Sequence, residues 1–122
     1  MSNYQYFSLE ALSQSVGGTN TELGARILRI FIEYLDDLQT AIDTPRTLAS
    51  DWQPLADSAH RYKTSAKSIG SDIIASKLDE LEHAIDNSQL DHAIEIAKEL
   101  PHIIVETKSE INHFLGNQEG AE

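Results

Sequence analysis

DWQPLADSAHRYKTSAKSIG, residues 51–70, carries two helical stripes at once. Trp52, Leu55, Ala59, Tyr62, Ala66 and Ile69 recur three or four apart. Side chains at that spacing share one helix face, and an apolar face of this kind packs against other helices. His60, Lys63, Thr64 and Lys67 form a second stripe at the same spacing. One residue step turns the helix by about 100°, so the residue after Ala59 falls at the edge of the apolar seam. His60 is therefore expected to project toward solvent. Asp51 can cap this helix. Pro54 fits its first turn, where a missing N–H costs little, and Gly70 ends it.

Helical periodicity continues on both sides, and no strand alternation is found. A short helix starts after Ser8, with Leu9 and Leu12 as its apolar face, and VGGTN closes it. Thr19, Asn20 or Thr21 can cap the next helix, which runs from about Glu22 to Ile42. Its stripe reads Leu23, Ile27, Ile30, Phe31, Tyr34, Leu38 and Ile42. DTPRTLAS is a connector in which Pro45 stops the helix and Arg46 is expected in solvent. Ser71 or Asp72 caps a fourth helix with the stripe Ile74, Leu78, Leu81 and Ile85. DNS is a turn, and a fifth segment runs from near Gln89 to about Leu115, interrupted at Pro101. The expected architecture is all-α. It is an antiparallel four-helix bundle over residues 1–116, with a short extra N-terminal helix and a flexible tail over 117–122.

A chain of 122 residues with 40% hydrophobic content fits one folded domain. A net charge of -11 disfavours nucleic-acid phosphates and anionic membrane surfaces. With no cysteine there is no disulfide framework and no thiolate metal site. MSNYQYFSLE lacks a basic region followed by an apolar run, so no signal peptide is expected. No apolar stretch approaches the length of a membrane span. A cytoplasmic, free-standing monomer is the expectation, since one bundle uses the apolar stripes.

The chemistry of the second stripe is that of an accessible nucleophile. A neutral imidazole attacks electrophiles near neutral pH without help from a base. Were it to take a phosphoryl group, Lys63 could neutralise the added charge and Lys67 would strengthen the field. Thr64 offers a hydroxyl and leaves room for a large partner. No phosphate-cradling glycine loop and no second base lie in sequence reach. Such a site can accept and donate a phosphoryl group but has no means of taking one from ATP alone. By spacing alone, a surface histidine beside lysines is most often an ordinary solvated residue.

AHRYKTSAKSIGSDIIASKLDELEHAI, residues 59–85, resembles the histidine phosphotransfer (HPt) domain of bacterial phosphorelays. The matching positions are Ala59, His60, Lys63, Thr64, Ser65, Ala66, Gly70, Leu78, Leu81 and Glu82. FIEYLDDLQTAI in the preceding helix and the VGGT turn before it are similar too. The resemblance covers roughly Ser8 to Leu115. Tyr62 departs from the usual leucine, and Thr64 from the usual glycine or serine. The resemblance implies that His60 takes a phosphoryl group from a receiver-domain phospho-aspartate and passes it to another receiver. It implies that the imidazole nitrogen far from the backbone is the one used, and that the other nitrogen needs a proton. The partners implied are response-regulator receiver domains or a hybrid sensor histidine kinase. The chain itself would hold no cofactor, the Mg²⁺ belonging to the receiver, and would not be an autonomous kinase. The docking face is expected around Gln53, Ala56, Asp57 and Gly70, and on the first helix at Leu9 and Leu12.

Two Glu-x-x-His spacings, Glu80 with His83 and Glu110 with His113, match the ligand pattern of carboxylate-bridged metal bundles. His83 lies two residues from both Leu81 and Ile85, about 200° around the helix, and His113 stands likewise to Ile111 and Leu115. Both are expected to face outward, so no metal is assigned. His92 and His102 read as solvated, and Glu33, Asp36 and Asp37 as part of a hydrated face. Three readings stay open: a phosphorelay intermediary, a helical adaptor of the same fold whose histidine is not used, and a metal-binding bundle.

Overall fold

The computed structural model describes residues 4–17 and 21–120. Among the described residues there are five α-helices: α1 (Leu9–Ser15), α2 (Thr21–Asp43), α3 (Gln53–Ser68), α4 (Asp72–Asp86) and α5 (Leu90–Gly120). A 3₁₀ turn, Ala49–Trp52, leads into α3. No strand occurs among the described residues. The four long helices close a ring in which α2 packs on α3, α3 on α4, α4 on α5 and α5 on α2. Short links make sequential neighbours antiparallel. The candidates Thr19 and Asn20 for the cap of α2 lie outside the described residues, as does the side chain of Thr21.

The seam read from residues 51–70 is the core face of α3. Trp52, Leu55, Ala59, Tyr62, Ala66 and Ile69 are all buried, as are Ile74, Leu78, Leu81 and Ile85 of α4. On α2 the expected stripe is partly out of phase. Leu28, Phe31, Leu35, Leu38 and Ile42 are buried, while Leu23 and Ile30 are among the exposed large apolar residues. Both sets have three-four spacing. The buried one is the strict alternation of three and four that lets a helix lie between two neighbours, here α3 and α5.

Other details of the expected architecture are revised. Pro101 lies inside α5, which continues unbroken on both sides of it. The lost N–H is one bond in a helix of 31 residues whose apolar face is packed. The same helix reaches Gly120, past the boundary expected at residue 116. Asp51 does not cap α3. Its carboxylate accepts from the backbone N–H of Leu48 at 2.8 Å and of Thr47 at 3.0 Å, tying the 3₁₀ turn instead. Those two bonds, Leu48 first, hold its carboxyl below the usual range. Arg46 is not simply solvated. One guanidinium nitrogen donates to the carbonyls of Ala41, Ile42 and Thr44 at 2.9–3.0 Å. The group also lies 4.4 Å above the Trp52 ring.

The junction of α3 and α4 sets the register of the site. Gly70 has φ +70, and a Cβ there would lie 2.4 Å from that of Ser8. Only glycine lets α1 approach this turn, where the N–H of Ser8 donates to the carbonyl of Ile69 at 2.9 Å. The N-H of Ser71 donates to the carbonyl of Ala66 at 2.8 Å and the chain re-enters helix at once. The segment before α1 is tied to α5. Glu110 accepts from the N–H of Gln5 at 3.0 Å and of Tyr6 at 2.7 Å, and Phe7 is buried. Among the described residues no helix is long and apolar enough to cross a membrane.

Candidate functional site

His60 stands on the solvent face of α3, its side chain 70% exposed. Ala59 beside it is fully buried, so the turn from seam to surface takes one residue, as the spacing predicts. Sequence reasoning left the second ring nitrogen without a partner. The structure supplies Glu82, one of the motif residues on α4. Its Oε2 lies 2.7 Å from His60 Nδ1. A carboxylate only accepts, so Nδ1 carries the proton. That leaves the lone pair on Nε2, the nitrogen turned away from the backbone.

Lys63 is drawn into the same arrangement. Its ammonium lies 2.7 Å from the other Glu82 oxygen, Oε1, and 3.1 Å from Asp79 Oδ1. Positions 79 and 82 are three apart, so α4 presents both carboxylates on one face. These partners, Glu82 first and then Asp79, raise the ammonium's pKa above its ordinary value. Lys63 in turn lowers that of Asp79. Lys67 is exposed, with no ion pair among the described residues, and Thr64 beside it is exposed as well.

The other expected site residues divide. Gln53 and Asp57 are exposed two turns and one turn before His60, respectively, and the Gln53 amide donates to Asp57 at 3.0 Å. With Arg61 and Asp86 they line an open depression of about 460 Å³ that has His60 and Glu82 on its wall. Ala56 also borders it but is buried, at 1% exposure. Leu12 is a core residue and Leu9 is half-buried against that core, so α1 offers less apolar surface than expected. Gly70 is packed under Ser8 and Ala11. The sequence reading missed a second groove, of about 250 Å³, between α2 and α3. Ile27, Ile30, Tyr34, Ser65 and Ser68 line it. Its signal was the apparent excess of apolar residues on α2.

Tyr62 is a packing residue with one polar anchor. Its ring stacks on Tyr34 with centroids 4.8 Å apart, and its hydroxyl donates to Asp37. Asp37 is thus a partner of the seam and not only part of a hydrated face. Among the described residues, no group of three or more metal-ligating side chains comes together. His83 and His113 are exposed, and Glu110 is spent on the N-terminal segment.

Fold and site define a small helical bundle that presents the His60 imidazole on its surface, braced at one nitrogen and open at the other. The family model for the Hpt domain matches residues 26–110. The chain belongs to the Hpt domain family, whose members are histidine phosphotransfer modules of phosphorelays, intermediaries and not kinases. Comparison with curated proteins and with solved structures gave no match.

Proposed function

We propose that His60 is the phosphoryl-accepting residue of a phosphorelay intermediary, taking the group from a receiver-domain phospho-aspartate and passing it to another receiver. One observation carries the reading: the 2.7 Å bond from His60 Nδ1 to Glu82, on a ring that is otherwise exposed. The Nε2 lone pair attacks phosphorus. The N–P bond forms as the P–O bond to the aspartyl oxygen breaks, and the aspartate leaves as carboxylate. The Nδ1 proton stays in its hydrogen bond, where the Glu82 charge offsets the positive charge that develops on the ring. Reversal toward a second receiver returns the ring to neutrality. The receiver supplies the Mg²⁺, which stabilises charge on the phosphoryl oxygens.

Docking is assigned to the exposed face of α3 at His60, Thr64 and Lys67, continued over the α2–α3 groove at Ile27 and Ile30. Exposed Ile30 supports this extension, since an apolar rim beside a polar centre suits a transient partner. Leu12, Ala56 and Gly70 are withdrawn from the docking face by their burial or packing.

The test mixes the protein with phosphorylated receiver domains and Mg²⁺, without ATP, and follows an acid-labile, base-stable phosphoryl group. His60→Gln abolishes labelling and leaves the helical circular dichroism unchanged. Labelling that survives this change moves the site elsewhere. No labelling from a broad receiver panel makes the chain a helical adaptor.

A further inference from the structure

We infer that Tyr62 sets how far a partner can run along the seam between α2 and α3: it closes the apolar groove at one end and confines a receiver's docking segment to it. The inference rests on receiver docking at that groove and deepens that reading. The seam carries two depressions. The apolar one, of about 250 Å³, has Ile27, Ile30 and Tyr34 on its α2 wall and Ser65 and Ser68 on its α3 wall. The other, of about 240 Å³, is more polar, with Asp37, Thr40, Thr44 and Ser58 among its walls. Among the described residues none lines both. On α2, Tyr34 borders the first and Asp37 the second, three residues apart and so on one face. Tyr62 is tied to each of them. Its ring stacks on Tyr34 with centroids 4.8 Å apart, and its hydroxyl donates to Asp37.

The barrier is made of side chains. Tyr62 is buried and Asp37 is exposed, so their bond reaches from the core of the seam to its rim. An apolar segment that ran past Tyr34 would have to bury this polar pair or pull it apart, and both cost free energy. The wall from Ile27 to Tyr34 is about 10 Å long at 1.5 Å per residue. With the barrier gone it continues along α2 to Thr40, about 20 Å from Ile27. A leucine at position 62 has no hydroxyl for Asp37 and no ring for Tyr34, so both are released.

The experiment titrates the full chain, labelled with ¹⁵N, with each of a panel of unphosphorylated receiver domains in Mg²⁺. It maps the backbone amides whose shifts change. In the unaltered chain the changes along the seam stop at Tyr34. In Tyr62→Leu they extend to Thr40. The spread of Kd across the panel narrows by about tenfold, the scale of one hydrogen bond. The longer seam accepts segments that the short one rejects. Asp37→Ala changes an exposed position and keeps the ring. It gives a smaller extension in the same direction, and it decides the matter should Tyr62→Leu not fold. Loss of packing alone would weaken every receiver by one factor and leave the ratios as they were. The inference is overturned if the unaltered footprint already covers Thr40, if neither variant moves it, or if no receiver binds. Labelling of His60 is read separately. A receiver that stops at Tyr34 and does not label His60 removes the relay reading and leaves this one standing.

Discussion

Gly70 is the residue on which the site's register turns. Its φ of +70 costs an alanine about 1–2 kcal/mol by backbone strain alone. The added carbon would also sit 2.4 Å from Ser8 Cβ, which is no flexible chain end, so α1 must shift. Gly70→Ala is expected to destabilise the domain by roughly 2–4 kcal/mol in a urea titration. A loss below that of an ordinary surface change would mean that α1 is not held by this turn. Tyr62 gives a second prediction. Its hydroxyl donates to Asp37, and that bond, with burial, raises its pKa above the ordinary 10.0. The unfolded chain then loses this proton first as pH rises. The bond's stabilisation is present below about pH 10 and fades as pH climbs through the higher folded value. Tyr62→Phe should cost about 1 kcal/mol at neutral pH and flatten this part of the alkaline decline, measured by denaturation from pH 8 upward. Residue by residue, the outward direction of His60 was legible because one helix decides it. Its partner's role was not, because Glu82 reaches His60 only through the register of α4 against α3, and that register depends on the Gly70 turn and its packing under α1.

At the scale of elements, α3 and α4 were read correctly because each buries one clear apolar stripe. Helix α2 has more apolar positions than one stripe needs, and spacing cannot rank two overlapping sets. Packing between α3 and α5 selects Leu28 and Leu35 over Leu23 and Ile30. Pro101 misled for a related reason: local propensity reads as a break, while tertiary packing holds the helix through it. The role of Arg46 was not legible because a single arginine in a connector carries no periodicity. Arg46 satisfies two terminal carbonyls of α2, which a helix otherwise leaves to water, and that of Thr44 just beyond, and it stacks on Trp52, the entry to α3. It thus fastens the two ends of the α2–α3 connector. Arg46→Ala is expected to cost about 1–2 kcal/mol, since water can take over the carbonyls but not the ring contact. Arg46→Lys should recover less than half, because an ammonium lacks the flat face that lies on the indole. Equal stability of Lys and Arg at this position would show that the stacking contributes nothing.

The whole molecule carries 20 acidic against 9 basic residues, and its pairing uses few of them. The charge disfavours nucleic acid and anionic membrane surfaces as partners, and it also sets how the fold responds to salt. Ion pairs join the bundle at Lys63 with Glu82 and Asp79, at Lys77 with Glu99, and at Lys108 with Asp36. Exposed pairs of this kind contribute about 0–1 kcal/mol each and are weakened by salt. Against them stands a net charge of -11 within one small bundle. At 0.01 M ionic strength the Debye length is about 30 Å, so every surplus carboxylate feels the others; at 0.1 M it is about 10 Å, and only neighbours interact. Self-repulsion favours the expanded chain, and it is the long-range part that salt removes first. The two effects have opposite signs, and the excess of like charge outweighs a handful of short pairs. Raising NaCl from 0.01 M to about 0.5 M should therefore raise the thermal midpoint, with most of the gain below about 0.1 M where screening changes fastest across the bundle. A midpoint that falls over this range would mean that the ion pairs between α2, α3, α4 and α5 dominate the electrostatics. The fold would then depend in part on the Lys63–Glu82 pair that adjoins His60.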